Sequence, residues 1–178
     1  MEKQTKDTQS RFLILMRHAK SDWGDSSLSD HERTLNARGR RDSPRMAGWL
    51  ADSRWVPDLV LSSSSTRTRE TYQRMVEHWN EEPAVSFTDA LYLASPDSIL
   101  QSIRTDGMES ERLMVITHNP GISYLASLLA GQSIEMPTAA VAVFQLDLGD
   151  WHELRESTPI QLVQTMRPKA LDRSEFEE

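Results

Sequence analysis

Short, unbroken apolar runs alternate along the chain with longer stretches in which apolar residues recur every three or four positions. The first run, Phe12-Leu13-Ile14-Leu15-Met16, stops abruptly at Arg17-His18. A run this short and apolar throughout predicts a strand buried on both faces. Asp58-Leu59-Val60-Leu61 is a second such strand, ending in Ser62-Ser63-Ser64-Ser65-Thr66-Arg67. Leu113-Met114-Val115-Ile116-Thr117 is another, ending at His118. Val85 and Phe87 mark a weaker strand, and residues 139–146 and 160–163 predict two final ones joined by a turn around Gly149-Asp150.

The stretches between these strands carry helical spacing. Met46, Ala47, Trp49 and Leu50 predict a helix over residues 37–51, capped by Asn36 and kinked at Pro44. Tyr72, Met75, Val76 and Trp79 predict one over residues 66–79. Ser95-Pro96-Asp97 reads as a cap with proline in the first turn, opening a helix through Ile99, Leu100 and Ile103. Asn119-Pro120-Gly121 turns into a helix carrying Ile122, Tyr124, Leu125, Leu128 and Leu129, closed by Gly131. Residues 19–30 are rich in turn formers and predict a long loop over the end of the first strand. Strands alternating with helices give an α/β domain with a largely parallel sheet.

Composition narrows the function classes. The 178 residues suffice for one domain, expected over residues 11–166, with a flexible segment at 1–10 and a charged tail at 167–178. An apolar fraction of 38% and five tryptophans suit a globular chain; Trp23, Trp55 and Trp151 are expected at its surface. A net charge of −7 with scattered basic residues argues against nucleic-acid binding. The lack of cysteine excludes disulfides and thiolate chemistry. The polar opening has no apolar stretch of signal-peptide length, and no run is long enough to span a membrane, so a cytoplasmic protein is expected.

In a sheet whose central strands run parallel, the three polar strand ends share one edge, where ligands of α/β proteins gather. That edge would hold Arg17, His18, Arg67 and His118, with backbone N–H groups from a helix start near Thr66. Two guanidinium forks suit a dianionic phosphoryl group; one histidine can attack phosphorus while the other stabilises charge on its oxygens. A rival reading joins the two histidines with Asp22, Asp25 or Asp30 in a metal site. Neither a recognisable ligand spacing nor the neighbouring arginines favour it. Another rival is a non-catalytic module that only holds phosphate.

Leu15-Met16-Arg17-His18-Ala19-Lys20-Ser21 resembles the Arg-His-Gly signature of the histidine phosphatase superfamily, with alanine for glycine. Three further segments resemble its phosphohistidine phosphatase branch, SixA: Asp30-His31-Glu32-Arg33-Thr34-Leu35 followed by Arg38-Gly39, Ser62 to Thr71, and Thr117-His118-Asn119-Pro120-Gly121. The resemblance implies a three-layer α/β/α sandwich of phosphoglycerate mutase-like fold and a phosphatase needing no metal or other cofactor. It makes His18 the nucleophile, Arg17 and Arg67 the phosphoryl clamp, and His118 a donor to the phosphoryl oxygens, with Arg33 and Ser21 further candidates for the phosphate pocket. Gly24 stands where mutase-like relatives carry an asparagine. The acid that larger relatives use on alkoxide leaving groups has only Asp89 and Asp97 as counterparts here, which favours phosphohistidine, whose imidazole departs without a strong acid. The expected partner is therefore a phosphorylated protein, such as a histidine-phosphotransfer domain, or alternatively a small phosphorylated metabolite, with no nucleic acid or membrane.

Overall fold

A computed structural model describes residues 8–174. Among them six strands form one sheet: β1 (Gln9–Arg17), β2 (Leu59–Ser63), β3 (Ala84–Thr88), β4 (Arg112–Thr117), β5 (Val141–Leu148) and β6 (Ile160–Met166), in the spatial order β3-β2-β4-β1-β5-β6. β3, β2, β4 and β1 run parallel, and β5 and β6 are antiparallel additions. The helices are α1 (Ala37–Asp52), α2 (Thr66–Val76), α3 (Pro96–Asp106), α4 (Gly121–Ala130) and α5 (Pro168–Ser174).

The central strands are apolar throughout because both their faces are covered. Leu13 and Leu15 of β1, Leu113 and Val115 of β4, and Leu59 and Leu61 of β2 pack with Ile99 and Ile103 of α3 and with Ile122 and Leu125 of α4. The alternate residues Ile14, Met16, Met114, Ile116 and Val60 pack on the opposite face with Met46 and Leu50 of α1 and Tyr72 and Met75 of α2. Two cores on two faces make the three layers. A one-residue slip of β1 would exchange its contributions to them.

Several boundaries differ from the sequence expectation. α1 runs through Pro44 as one helix, with Ser43 Oγ donating to Gly39 O at 2.8 Å. α2 ends at Val76, because His78 and Trp79 donate to carbonyls only three residues back, yet Trp79 stays in the core with its indole N–H on Ala47 O at 3.1 Å. β1 already includes Gln9 and Ser10; residues 1–7 of the expected flexible segment lie outside the described residues. The expected charged tail contains α5, whose Leu171 packs against the α1–α2 core. Trp151, read as a surface residue, is fully buried and donates to Ser110 O at 2.8 Å, whereas Trp23 is 71% exposed.

Candidate active site

β1, β2 and β4 are parallel neighbours, so their carboxyl ends lie together. His18 follows the last residue of β1. Its N–H donates to Thr117 O at 3.1 Å and its carbonyl accepts from Ala139 N–H at 3.0 Å, which fixes it between β4 and the segment entering β5. The next turn is held from two sides: Ala19 N–H donates to Thr71 Oγ1 of α2 at 3.0 Å, and Asn36 N–H to Lys20 O at 3.0 Å. Gly39 comes so close that a Cβ there would lie 2.2 Å from Lys20 O.

The His18 ring nitrogen Nδ1 lies 2.7 Å from Ala19 O. A carbonyl only accepts, so Nδ1 carries the proton and Nε2 keeps its lone pair, directed at Arg67 Nε 3.4 Å away. Burial, and then the charges of Arg67, Arg17 and Arg33, hold the His18 pKa at about 3 despite the opposing bond to Ala19. His18 Nε2 is therefore unprotonated at neutral pH.

Arg67 stands in the first turn of α2, only 2% exposed. Besides facing His18, its Nη2 lies 3.1 Å from His118 Nδ1. Because a guanidinium only donates, His118 Nδ1 accepts, and its Nε2–H donates to Ser63 Oγ at 2.7 Å. Burial first, then the neighbouring His18 and Arg67, push the His118 pKa down to about 2. The His18 and His118 ring centroids are 5.2 Å apart. Arg17 anchors one Nη on Met136 O at 3.2 Å, while its Nε is buried with no acceptor among the described residues. Such a donor is costly to leave unpaired, and a bound oxyanion would satisfy it.

The loop after β1 brings a carboxylate into this cationic corner. Asp30 Oδ1 accepts from Arg33 Nε and Nη2 at 3.2 and 2.9 Å, and Oδ2 from Arg67 Nη2 at 3.1 Å and from the Tyr92 hydroxyl. Partial burial works to raise the Asp30 pKa, but the bonds from Tyr92 and Arg33 and the charge of Arg67 outweigh it and hold the value at about 2. Arg33 Nη1 donates to Ser21 Oγ at 2.8 Å, and its guanidinium stacks 3.5 Å over the Trp23 ring.

Arg17, His18, Arg67 and His118 thus meet, and Arg33 and Ser21 line the same cavity of about 240 Å³. Two amides at the start of α2 are spent elsewhere: Thr66 N–H donates to His31 O and Thr68 N–H to Ser65 Oγ. Asp89 is bound by the Ser64 hydroxyl outside the cavity lining, and Asp97 lines a separate surface depression with Gln101 and Arg104. No group of three histidine or carboxylate side chains gathers as a metal would need among the described residues; Asp22 and Asp25 accept from amides of their own turns, and Asp30 from the arginines. Sequence reasoning missed Ser63 and Tyr92 and gave Asp30 no role beside the arginines. The Asp-x-x-Arg spacing was the one available signal, since it sets Asp30 and Arg33 a turn apart.

Comparison with known proteins places this geometry in context. Residues 13–91 match the model of the histidine phosphatase superfamily, branch 1. An uncharacterised chloroplastic protein of Arabidopsis thaliana is 37% identical over 155 residues, covering 81% of this chain and 70% of that protein. An uncharacterised protein of Mycobacterium leprae is 32% identical over 152 residues, 78% of this chain and 91% of that one. The crystal structure of SixA from Agrobacterium tumefaciens, to which phosphohistidine phosphatase activity is ascribed, superposes with a TM-score of 0.76 at 26% identity, covering 89% of this chain and 98% of that one. The shared architecture is the phosphoglycerate mutase-like α/β fold.

Proposed function

The chain belongs to the histidine phosphatase superfamily, and from that membership we propose that it hydrolyses phosphohistidine on a protein through a covalent intermediate on His18. The observation that carries this reading is the lone pair of His18 Nε2, held by the Ala19 carbonyl and directed at Arg67 with His118 alongside. In the first step Nε2 attacks phosphorus, and the bond from phosphorus to the substrate nitrogen breaks. Its electron pair stays with the leaving imidazole, which takes up a proton. In the second step water attacks phosphorus, the phosphorus–Nε2 bond breaks, and inorganic phosphate and neutral His18 remain. Arg17 and Arg67 stabilise charge on the phosphoryl oxygens in both steps, which is the larger part of such catalysis.

The choice of a nitrogen-linked substrate rests on the acid. Among the described residues Asp30 is the one carboxylate lining the cavity, and with its pKa held at about 2 it has no proton to give at neutral pH. An alkoxide leaving group would need that proton, whereas imidazole can be protonated from water. A small cavity bordered by the exposed Trp23 and Leu93 also suits a phosphoryl group carried on a protein surface.

The test is phosphate release from a phosphohistidine-bearing protein and from a simple phosphomonoester, each in chelator, with wild type and His18→Ala. Turnover of the phosphohistidine substrate alone, abolished in the variant, is the expected result. Equal turnover of the phosphomonoester would assign a small phosphorylated metabolite instead. Activity surviving in His18→Ala would remove the covalent mechanism, and an inactive wild type that still binds phosphate would make the site a binding module.

A further inference from the structure

A carboxylate in a phosphate site needs a reason, because it repels the group the site binds. Asp30 is the one acidic side chain lining the cavity among the described residues, and the two arginines that share it use it differently. Arg67 is gripped at its outer end: Nη1 donates to Asp30 O at 2.6 Å and Nη2 to Asp30 Oδ2 at 3.1 Å. Its inner edge, Nε and Nη2, is thereby turned towards His18 Nε2 and His118 Nδ1, where an attacked phosphoryl group must sit. Arg33 spends Nε and Nη2 on Asp30 Oδ1 and Nη1 on Ser21. Tyr92 adds a third donor to the same carboxylate from the segment after β3.

We propose that Asp30 is a positioning residue that aims the inner edge of Arg67 at the phosphoryl group, and that Arg33 acts by bracing Asp30 instead of by binding phosphate. The inference rests on the phosphoryl-transfer reading of the site. A buried guanidinium free to rotate would meet the phosphoryl oxygens in many orientations; held from behind by a bidentate partner, it meets them in one. The negative charge offsets part of the attraction for the ground-state dianion, so the gain appears in turnover more than in binding.

A double-mutant cycle on the full chain tests this, with Asp30→Asn, Arg33→Met and both together, kcat and KM being measured separately on the phosphohistidine protein. Asp30→Asn should lower kcat by about 30-fold or more while KM moves less than about threefold, in line with the cost of misplacing a catalytic group. Arg33→Met should cost about tenfold in wild type and less than about twofold once Asp30 is gone, because the two act as one unit. An equal loss from Arg33→Met in both backgrounds, or an Asp30→Asn variant with unchanged kcat, would overturn the proposal. Should Asp30→Asn fail to fold, Tyr92→Phe takes its place, with a several-fold loss of kcat at constant KM expected and an unchanged kcat overturning it. An inactive wild type would overturn the phosphatase reading and leave the positioning claim to a second measurement, nitrogen-15 NMR of the Arg67 Nε–H with added inorganic phosphate. That signal should be sharp and phosphate-responsive in wild type and broadened in Asp30→Asn; an identical response in both would reject the role of Asp30.

Discussion

The two buried histidines make the residue scale testable through protons. His18 and His118 have folded pKa values of about 3 and about 2, against 6.5 for an ordinary imidazole. Between those limits the unfolded chain binds protons that the folded chain refuses. The stability is therefore whole above pH 6.5 and is lost as pH falls, by about 1.4 kcal/mol per pH unit for each histidine. Asp30, depressed from 3.8 to about 2, loses its contribution only at lower pH and leaves this window clean. The melting temperature should fall between pH 6.5 and about pH 4.5, and His118→Asn should shallow that slope; parallel slopes would show that His118 is not held neutral. A second proton effect follows from the His118 tautomer. Its one N–H points at Ser63, so donation to a phosphoryl oxygen requires a proton on Nδ1, which an incoming dianion favours. Calorimetric titration with inorganic phosphate in buffers of different ionisation enthalpy should show proton uptake that grows as pH falls, and none in His118→Asn. Arg17, His18 and His118 were legible in the sequence because they close apolar runs, and Arg67 because a serine run links it to one. Ser63, Tyr92 and the contact of Asp30 with Arg67 were not, because they enter through tertiary approach: Tyr92 reaches Asp30 across 62 positions of chain.

At the scale of elements, the site depends on how closely backbones approach. A Cβ on Gly121 would lie 1.9 Å from Ala94 O, and one on Gly39 2.2 Å from Lys20 O; both obstacles are main chain, which cannot swing aside. Gly121→Ala should cost about 1–3 kcal/mol of stability and lower kcat as well, because it would push the start of α4, next to His118, away from the segment that carries Tyr92. Gly48, inside α1 with nothing within 4 Å of its virtual Cβ, is the contrasting case. Gly48→Ala should stabilise by about 0.5–1 kcal/mol without altering turnover. Chemical denaturation with matched kinetics separates the two outcomes. Apolar periodicity located the main elements well, since strands covered on both faces leave an unbroken signature. It failed where composition and packing diverge. Trp151, flanked by Asp150, His152 and Glu153, reads as surface, yet it is buried against Gly107, whose virtual Cβ lies 2.7 Å from the indole. Trp79 kept its core position although its helix had already ended.

For the whole molecule, the arrangement joins distant parts of the chain at one point. Arg17 and His18 leave β1, Arg67 follows β2 and His118 follows β4, while Met136 in the approach to β5 holds Arg17. Parallel pairing of the three strands puts these ends side by side, and this could be anticipated from sequence only as a consequence of the α/β pattern. The order β3-β2-β4-β1-β5-β6, with two antiparallel strands at one edge, carries no local signature in the chain. An oxyanion seated between these ends would bridge elements contributed by most of the fold, so its binding energy becomes folding stability. At a concentration about 100 times its dissociation constant, such a ligand adds about 2.7 kcal/mol, which for a domain of this size raises the melting temperature by about 5–10 °C. Inorganic phosphate or tungstate should produce that shift in wild type. The shift should shrink with added salt, since the protein carries a net charge of −7 and attracts the anion only through its local cationic cavity. In Arg67→Ala it should vanish, and an undiminished shift there would place the anion elsewhere on the molecule.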